Sequence, residues 1–322
     1  MFNCLAVHLA LIAVLLSGSC SSAPTVVPVD EIINPSTEVI VKEDEDLQSK
    51  IASIASESNG TVGVFALLLE DDRSVSFNGN ERFAMQSVVK LPVAMAVMKQ
   101  VNDGKFNLDQ KIKFATDDLA NPNQRSPLRD KNPKGGEATV DELIRLAIVE
   151  SDGTACDVLT RITGGPDAVQ SYIASLGISG VEIKRTHKEF GEDWAMQYEN
   201  WATPETAVDL LQILYPVPPN DGRDRNLDAS FDLVYQRMLE SVPGPNRLKG
   251  LLPPGTPVAH KTGTGGTRNG ITSATNDAGI ITLPNGKHVA IAVFVGDSAA
   301  DEKTRERVIA ETAKAVWDAW AR

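Results

Sequence analysis

Ser87 and Lys90 stand three residues apart in Ser87-Val88-Val89-Lys90, a spacing that suits nucleophilic catalysis. Pro92 follows closely; it cannot donate a backbone hydrogen bond and is best tolerated near a helix start, so the sequence predicts Ser87 at a helix N-terminus. At i,i+3 the two side chains share one face. Serine is a poor nucleophile at its own pKa and needs an adjacent base. A partly desolvated lysine can serve, and helix N-terminal amides favour the negative charge that develops in acyl transfer. Alone the motif is weak: ordinary residue frequencies give about one Ser-x-x-Lys by chance in a chain of this length. A second cluster, Ser151-Asp152-Gly153, follows an apolar helix, and its plainer reading is the N-cap of a helix over residues 154–159. The third, His260-Lys261-Thr262-Gly263-Thr264-Gly265, falls on a predicted strand. Lys261 would offer a positive charge to a substrate carboxylate, and the glycines would let that carboxylate and a carbonyl approach the strand backbone. Its plainer reading is a polar strand edge running into a glycine turn. All three clusters in this order are expected by chance in about one of a hundred such chains, on the same frequencies.

The three motifs resemble those of class A β-lactamases, in the superfamily shared with penicillin-binding proteins. The resemblance covers about residues 46–322 and extends to Leu91-Pro92, Ser126-Pro127-Leu128-Arg129-Asp130, Gln197-Tyr198-Glu199-Asn200-Trp201 and Ala274-Thr275-Asn276-Asp277. These stretches are most similar to the second, extended-spectrum branch of the class. The resemblance implies a small-molecule β-lactam substrate and no metal or organic cofactor. It implies that Ser87 is acylated, that Lys90 is the base, and that Ser151 relays a proton to the departing lactam nitrogen. Lys261, Thr262 and Thr264, with Gly263 between them, would hold the substrate carboxylate, Arg247 would be a second cation, and the backbone amides of Ser87 and Thr264 would form the oxyanion hole.

Two positions depart from the family pattern. Gly153 stands where most members have an asparagine whose amide touches the substrate. His187 stands where the family has its deacylating glutamate, with Glu189 two residues on and Gly191 at the position that usually helps hold the hydrolytic water. A general base contributes about 10²–10⁴-fold, so its loss would turn a turnover enzyme into a trapped acyl-enzyme. Either His187 is itself the base, since imidazole titrates near neutrality, or the loop turns Glu189 toward the ester; the plainer reading makes His187 an exposed loop residue. The altered loop keeps two rivals open: a D-Ala-D-Ala peptidase or esterase of the same superfamily, and a β-lactam-binding receptor that stays acylated. Against the receptor, no mature effector or membrane segment is visible. Neither His260 nor His288 has metal-ligand spacing to a partner.

These residues need a scaffold. Residues 47–55 carry Leu47, Ile51, Ile54 and Ala55 at helical spacing, and residues 61–69 form a near-continuous apolar run, as in a strand buried on both faces. A strand over 73–77 follows. The middle is helical: an apolar helix over 90–101 stopped by Asn102-Asp103-Gly104, another opening at Asp141, and one over 206–214 introduced by Thr203-Pro204-Glu205. Residues 216–226 read as a loop. Strands return over 256–262, 278–283 and 287–295, with Pro284-Asn285-Gly286 as a hairpin turn, before an amphipathic helix over 302–320. The expected fold is α/β (α+β), β-lactamase/transpeptidase-like: an antiparallel sheet flanked by N- and C-terminal helices, with an inserted all-helical domain. The expected boundaries are a sheet subdomain over 46–84 and 240–322 and a helical subdomain over 85–239.

The chain has 322 residues, 42% hydrophobic, which suffices for a large core, and a net charge of −12 without a Lys/Arg-rich block, which argues against nucleic acid. Residues 5–16 are almost wholly apolar and are followed by small residues up to Cys20, the pattern of a signal peptide over 1–20 rather than of a membrane span, although no Lys or Arg precedes Lys42. The expected location is the periplasm, either free or lipid-anchored at Cys20, with residues 21–45 as a tether. The expected state is a monomer. Of the three cysteines, Cys4 and Cys20 belong to the leader, which leaves Cys156 as a buried small hydrophobe without a disulfide partner.

Overall fold

The computed structural model describes residues 44–71, 73–215 and 231–321. The leader, nearly all of the tether and the loop expected over 216–226 lie outside the described residues. The chain enters through α1 (Glu45–Ala55), whose first turn is capped by the Asp44 side chain, and passes into strands β1 (Thr61–Leu68), β2 (Arg73–Phe77) and β3 (Phe83–Ala84). The middle runs through α2 (Lys90–Asn102), β4 (Lys111–Phe114), α3 (Pro127–Lys131), β5 (Gly136–Thr139), α4 (Val140–Val149), α5 (Gly153–Thr163) and α6 (Pro166–Ser175). It continues through β6 (Val181–Glu182), β7 (Trp201–Ala202), α7 (Pro204–Leu214) and α8 (Phe231–Leu239). The last part holds β8 (Val258–Thr264), β9 (Thr267–Arg268), β10 (Ile271–Thr282), β11 (His288–Ser298) and α9 (Glu302–Trp320).

The main sheet is antiparallel in the order β2-β1-β11-β10-β8, with β9 paired to β10. Strands from the two ends of the chain thus lie side by side, Thr61 opposite Gly296 and Leu68 opposite Val289. The apolar run in β1 is explained by burial on both faces: Val62, Val64, Ala66 and Leu68 join the cluster formed with α1 and α9, whereas Leu67 turns to the helical side. β11 divides in the same way, with Val289, Ile291, Val293 and Val295 on one face and Ala290, Ala292 and Phe294 on the other. α2 is buried from Lys90 to Met98, as a helix apolar all round must be.

The segment between β3 and β8 is not wholly helical. It carries two small sheets, β3-β7-β6 and β4-β5, formed by strands of two to four residues that are too short for periodicity to announce. Helix starts follow side-chain chemistry: Ser126, Thr139, Asp152, Thr203 and Asp301 each accept a hydrogen bond from a first-turn amide. No helix among the described residues is long and apolar enough to cross a membrane.

Candidate active site

Ser87 lies on a single 3-10 turn, Gln86–Val89, that leads directly into α2. Gln86 takes a left-handed φ of 49°, a strained conformation for a side-chain-bearing residue just before Ser87. The preceding strand is tied down from two sides. Asn276 Nδ2 donates to Ala84 O at 2.8 Å, and Met85 N donates to Asn200 O at 2.9 Å. Lys90 Nζ then lies 2.7 Å from Ser87 Oγ and 3.0 Å from Ser151 O. Lys90 is 1% exposed, and burial pushes its ammonium below the ordinary lysine range against the opposing pull of Asp152 and Asp157. An amine whose hold on its proton burial has weakened, placed beside a serine hydroxyl, is positioned to exchange a proton with it.

Ser151 sits in the short link between α4 and α5 with φ 58°. The strain is held by Asp152, fully buried, whose carboxylate accepts from Ala155 N at 2.9 Å, Ser126 Oγ at 2.8 Å and Leu128 N at 2.6 Å. Asp152 therefore supplies the helix cap expected of this cluster, which leaves Ser151 Oγ for the lysines: Lys261 Nζ at 2.8 Å and Lys90 Nζ at 3.5 Å. Lys261 is fully buried on β8, and desolvation, then the charge of Lys90, holds it well below its usual value.

β8 is the edge strand of the main sheet, so one row of its backbone groups is not engaged by the sheet. Gly263 lets β8 approach the turn that carries Ser87, for a Cβ there would lie 2.5 Å from Met85 O and 3.2 Å from Val88 Cγ2. Arg247 is buried behind this strand. It donates through Nη1 to Gly263 O (3.1 Å) and Asn276 O (3.0 Å), through Nη2 to Thr264 Oγ1 (2.8 Å), and through Nε to Glu306 (3.1 Å). Its charge reaches the cleft through Thr264. His260 on β8 and Asp277 on β10, both fully buried, pair at 2.9 Å and do not line the cleft.

The loop between β6 and β7 brings the two residues in doubt. It is closed at its base by Asn200, whose Oδ1 accepts from Lys184 N (2.8 Å) and Arg185 N (2.9 Å) and whose Nδ2 donates to Arg185 O (2.9 Å). Asp157, on α5, accepts from His187 N at 2.6 Å and Lys188 N at 2.8 Å. The imidazole of His187 faces the cleft, edge-on to Phe190 at 5.6 Å. Desolvation, then the charges of Lys90 and Lys261, lowers it well below 6.5, so it is neutral at physiological pH. Glu189 is turned away. Its carboxylate accepts from Thr186 N (2.7 Å), Thr186 Oγ1 (2.8 Å) and Arg185 Nη1 (3.2 Å). Burial works to raise Glu189, but those bonds prevail and hold it below the usual glutamate range. A side chain at Gly191 would meet Asn121 Nδ2 at 2.4 Å.

Ser87, Ser151, His187, Thr262 and Thr264 line one cleft of about 540 Å³, with Phe190 and Trp194 on its loop side. Lys90 and Lys261 stand behind its floor, Gly153 and Gly263 provide close approaches, and Glu189 is not on its wall. Among the described lining residues none is Asp or Glu. Among the described residues no group of three or more His, Cys, Asp or Glu side chains could hold a metal ion. Cys156 is a buried free thiol, pushed up to about 12 by desolvation.

Sequence reasoning did not find Asp157, and it marked Gln197 only as part of a resembling stretch, without a role. Asp157 is four residues after Gly153, one helical turn along, and that spacing was its only local signal. Gln197 Oε1 accepts from Gln86 Nε2 (2.8 Å) and Ser273 Oγ (2.5 Å), tying the loop both to the residue before the nucleophile and to β10.

The family described as "Beta-lactamase enzyme family" matches the chain over residues 46–320. The chain is 36% identical to the β-lactamase VEB-1 of Pseudomonas aeruginosa over 85% of its own length and 90% of that protein. It is 38% identical to the extended-spectrum β-lactamase PER-1 of the same organism, over 84% and 86%. Among solved structures, the TLA-3 extended-spectrum β-lactamase superposes with a TM-score of 0.80 at 41% identity, covering 86% of this chain and 99% of that one. A β-lactamase from Chitinophaga pinensis gives 0.79 at 40% identity, covering 85% and 99%.

Proposed function

The chain belongs to the class A β-lactamases and is a hydrolase of β-lactams, and on that premise we propose that Ser87 carries the acyl group and that His187 takes the proton of the water that removes it. In acylation, Ser87 Oγ gives its proton to neutral Lys90 and attacks the lactam carbonyl, and the Ser87 and Thr264 amides receive the oxyanion. As the C–N bond breaks, the proton passes from Lys90 through Ser151 to the ring nitrogen. Lys261, held next to Ser151 Oγ, regains full charge when a substrate carboxylate arrives as its counter-ion; Thr262, Thr264 and Arg247 complete that carboxylate's seat. In deacylation, water attacks the ester carbonyl as its proton goes to the neutral imidazole, and the imidazolium then returns that proton so that Ser87 Oγ leaves as the hydroxyl. The release of the ester, as opposed to its formation, is the step that His187 serves.

The observation that carries this reading is the 2.7 Å contact between Lys90 Nζ and Ser87 Oγ, with Ser151 Oγ placed between two desolvated lysines. His187 is favoured over Glu189 as the second base because it lines the cleft, whereas the Glu189 carboxylate is spent on Thr186 and Arg185. The absence of a lining carboxylate among the described residues supports a second reading, a protein that acylates quickly and deacylates slowly, shared by the peptidase and receptor alternatives. The apolar segment over 5–16 supports export, with Cys20 as a candidate lipid attachment point.

Incubating the purified mature protein with a chromogenic cephalosporin, and following product release together with intact mass, tests the proposal. Sustained turnover with a transient adduct on Ser87 is expected, and Ser87→Ala should give neither product nor adduct. A single stoichiometric burst with a stable adduct would move the protein to the slow-deacylation reading. Turnover by Ser87→Ala at the parental rate would end the acyl-serine mechanism.

A further inference from the structure

Gly153 and His187, separate departures in the sequence, meet in space. Gly153 is the first residue of α5 and does not have a positive φ, so the backbone makes no demand for glycine there. Alanine would be the better helix former. The demand is for room: a Cβ on Gly153 would lie 2.4 Å from His187 Cδ2 and 3.1 Å from its Nε2, with Ala120 Cβ at 3.2 Å closing the other side. The imidazole can retreat only by turning about its own side-chain bonds, because its backbone is fixed on both sides. His187 N and Lys188 N donate to Asp157, and Gln124 Nε2 donates to His187 O. A second observation concerns the ring itself. His187 Nδ1 is buried and has no hydrogen-bond partner among the described residues. A histidine base is ordinarily oriented by a group on its second nitrogen. Here packing must do it, between the bare Cα of Gly153 and the edge of Phe190.

We propose that Gly153 is a positioning residue for His187: the N-terminus of α5 admits either a side chain at 153 or this imidazole, not both, and the missing Cβ fixes the rotamer from which Nε2 addresses the acyl-ester. The catalytic part rests on the reading of His187 as the deacylating base; the steric part rests on geometry alone. The two departures from the family pattern are then a single replacement, an imidazole for an amide, made on two elements.

The test uses Gly153→Ala, His187→Ala and the double variant in the full-length chain, with stoichiometric adduct formation on Ser87 as the check on folding. Adduct decay after a cephalosporin pulse and ring titration of His187 by NMR are the readouts. Gly153→Ala should still form the adduct but release it about 10²-fold more slowly, the cost of displacing a catalytic group by about an ångström. Its displaced imidazole should titrate nearer the ordinary histidine value. The double variant should decay no more slowly than His187→Ala alone. A Gly153→Ala protein with parental decay and parental His187 titration overturns the proposal, as does additivity in the double variant. If His187→Ala decays at the parental rate while Gly153→Ala still moves the ring titration, the base reading fails and the positioning stands. Should Gly153→Ala not fold, Gly153→Asn in the His187→Ala background decides the matter: the vacated space should restore its thermal midpoint toward that of His187→Ala, and a failure to do so overturns the proposal.

Discussion

Replacing Asp157 by asparagine should remove a loss of stability that the parent suffers as pH rises from mild acid through neutrality. Asp157 is 8% exposed and accepts the backbone N–H groups of His187 and Lys188 at 2.6 and 2.8 Å. Burial raises its carboxyl from 3.8 to about 7, against the two N–H donors and the charge of Lys90. A carboxyl raised in the folded state contributes stability that is complete below the unfolded value and lost as pH climbs through the folded one. At about 1.4 kcal/mol per pH unit, ionising Asp157 therefore works against folding by about 4 kcal/mol once pH exceeds 7. Asparagine is isosteric and does not titrate, but its amide nitrogen cannot accept, so one of the two backbone N–H groups loses its partner, a cost that is the same at every pH. Urea unfolding of parent and Asp157→Asn between pH 4.5 and 8.5 should give a stability difference that moves by roughly 3 kcal/mol in favour of the variant from the acid end to the alkaline end. Asp209, raised to about 6 by burial, titrates in both proteins and cancels in the difference. A gap that is flat with pH, or one that grows in favour of the parent as pH rises, would refute the reasoning. It would mean that the two backbone donors outweigh desolvation and that the loop is anchored by a carboxylate throughout.

Gly263→Ala places a Cβ 2.5 Å from Met85 O, a backbone atom that cannot rotate away, so β8 must draw back from the nucleophile turn. The burst rate of adduct formation should fall about 10²-fold, as when one oxyanion donor is lost, and a parental burst would separate β8 from the oxyanion site. The acid limb of deacylation should lie below the ordinary histidine value of 6.5, because desolvation and the neighbouring lysines depress His187 and a base works only when deprotonated. Single-turnover decay of the acyl-enzyme against pH checks this, and a limb at or above 6.5 that is unchanged in His187→Ala would exclude the imidazole.

The sheet and its flanking helices were legible because their burial leaves long signals. The period of α1, the two-sided apolar run of β1 and the full length of α9 could each be read from residue types alone. β10 was harder. It spans twelve residues, but its first half, Ile271 to Asn276, is polar because it supports the cleft instead of filling the core, and apolar character marks only its second half. The short strands β3 to β7 were not legible, since each is specified by a partner distant in sequence, as when Phe83 pairs with Ala202.

The residues proposed to carry acylation could be picked out for the opposite reason. Ser87 and Lys90 are neighbours on one turn, Lys261 to Thr264 share one strand, and Ser151 follows directly on a helix, so local spacing already implies their geometry. The deacylating role proposed for His187 depends on a contact that spacing cannot encode. Gly153 and His187 are joined only when the loop after β6 is laid over the start of α5, and the residue that lays it there, Asp157, looks in the sequence like any polar helix residue. Read singly, Gly153 is a lost amide and His187 a lost carboxylate, and each argues for a weakened enzyme. Read together they occupy one volume. The loss at 153 is the condition for the imidazole at 187, and the cleft has changed the side chain that faces the acyl-ester without opening a gap in its wall.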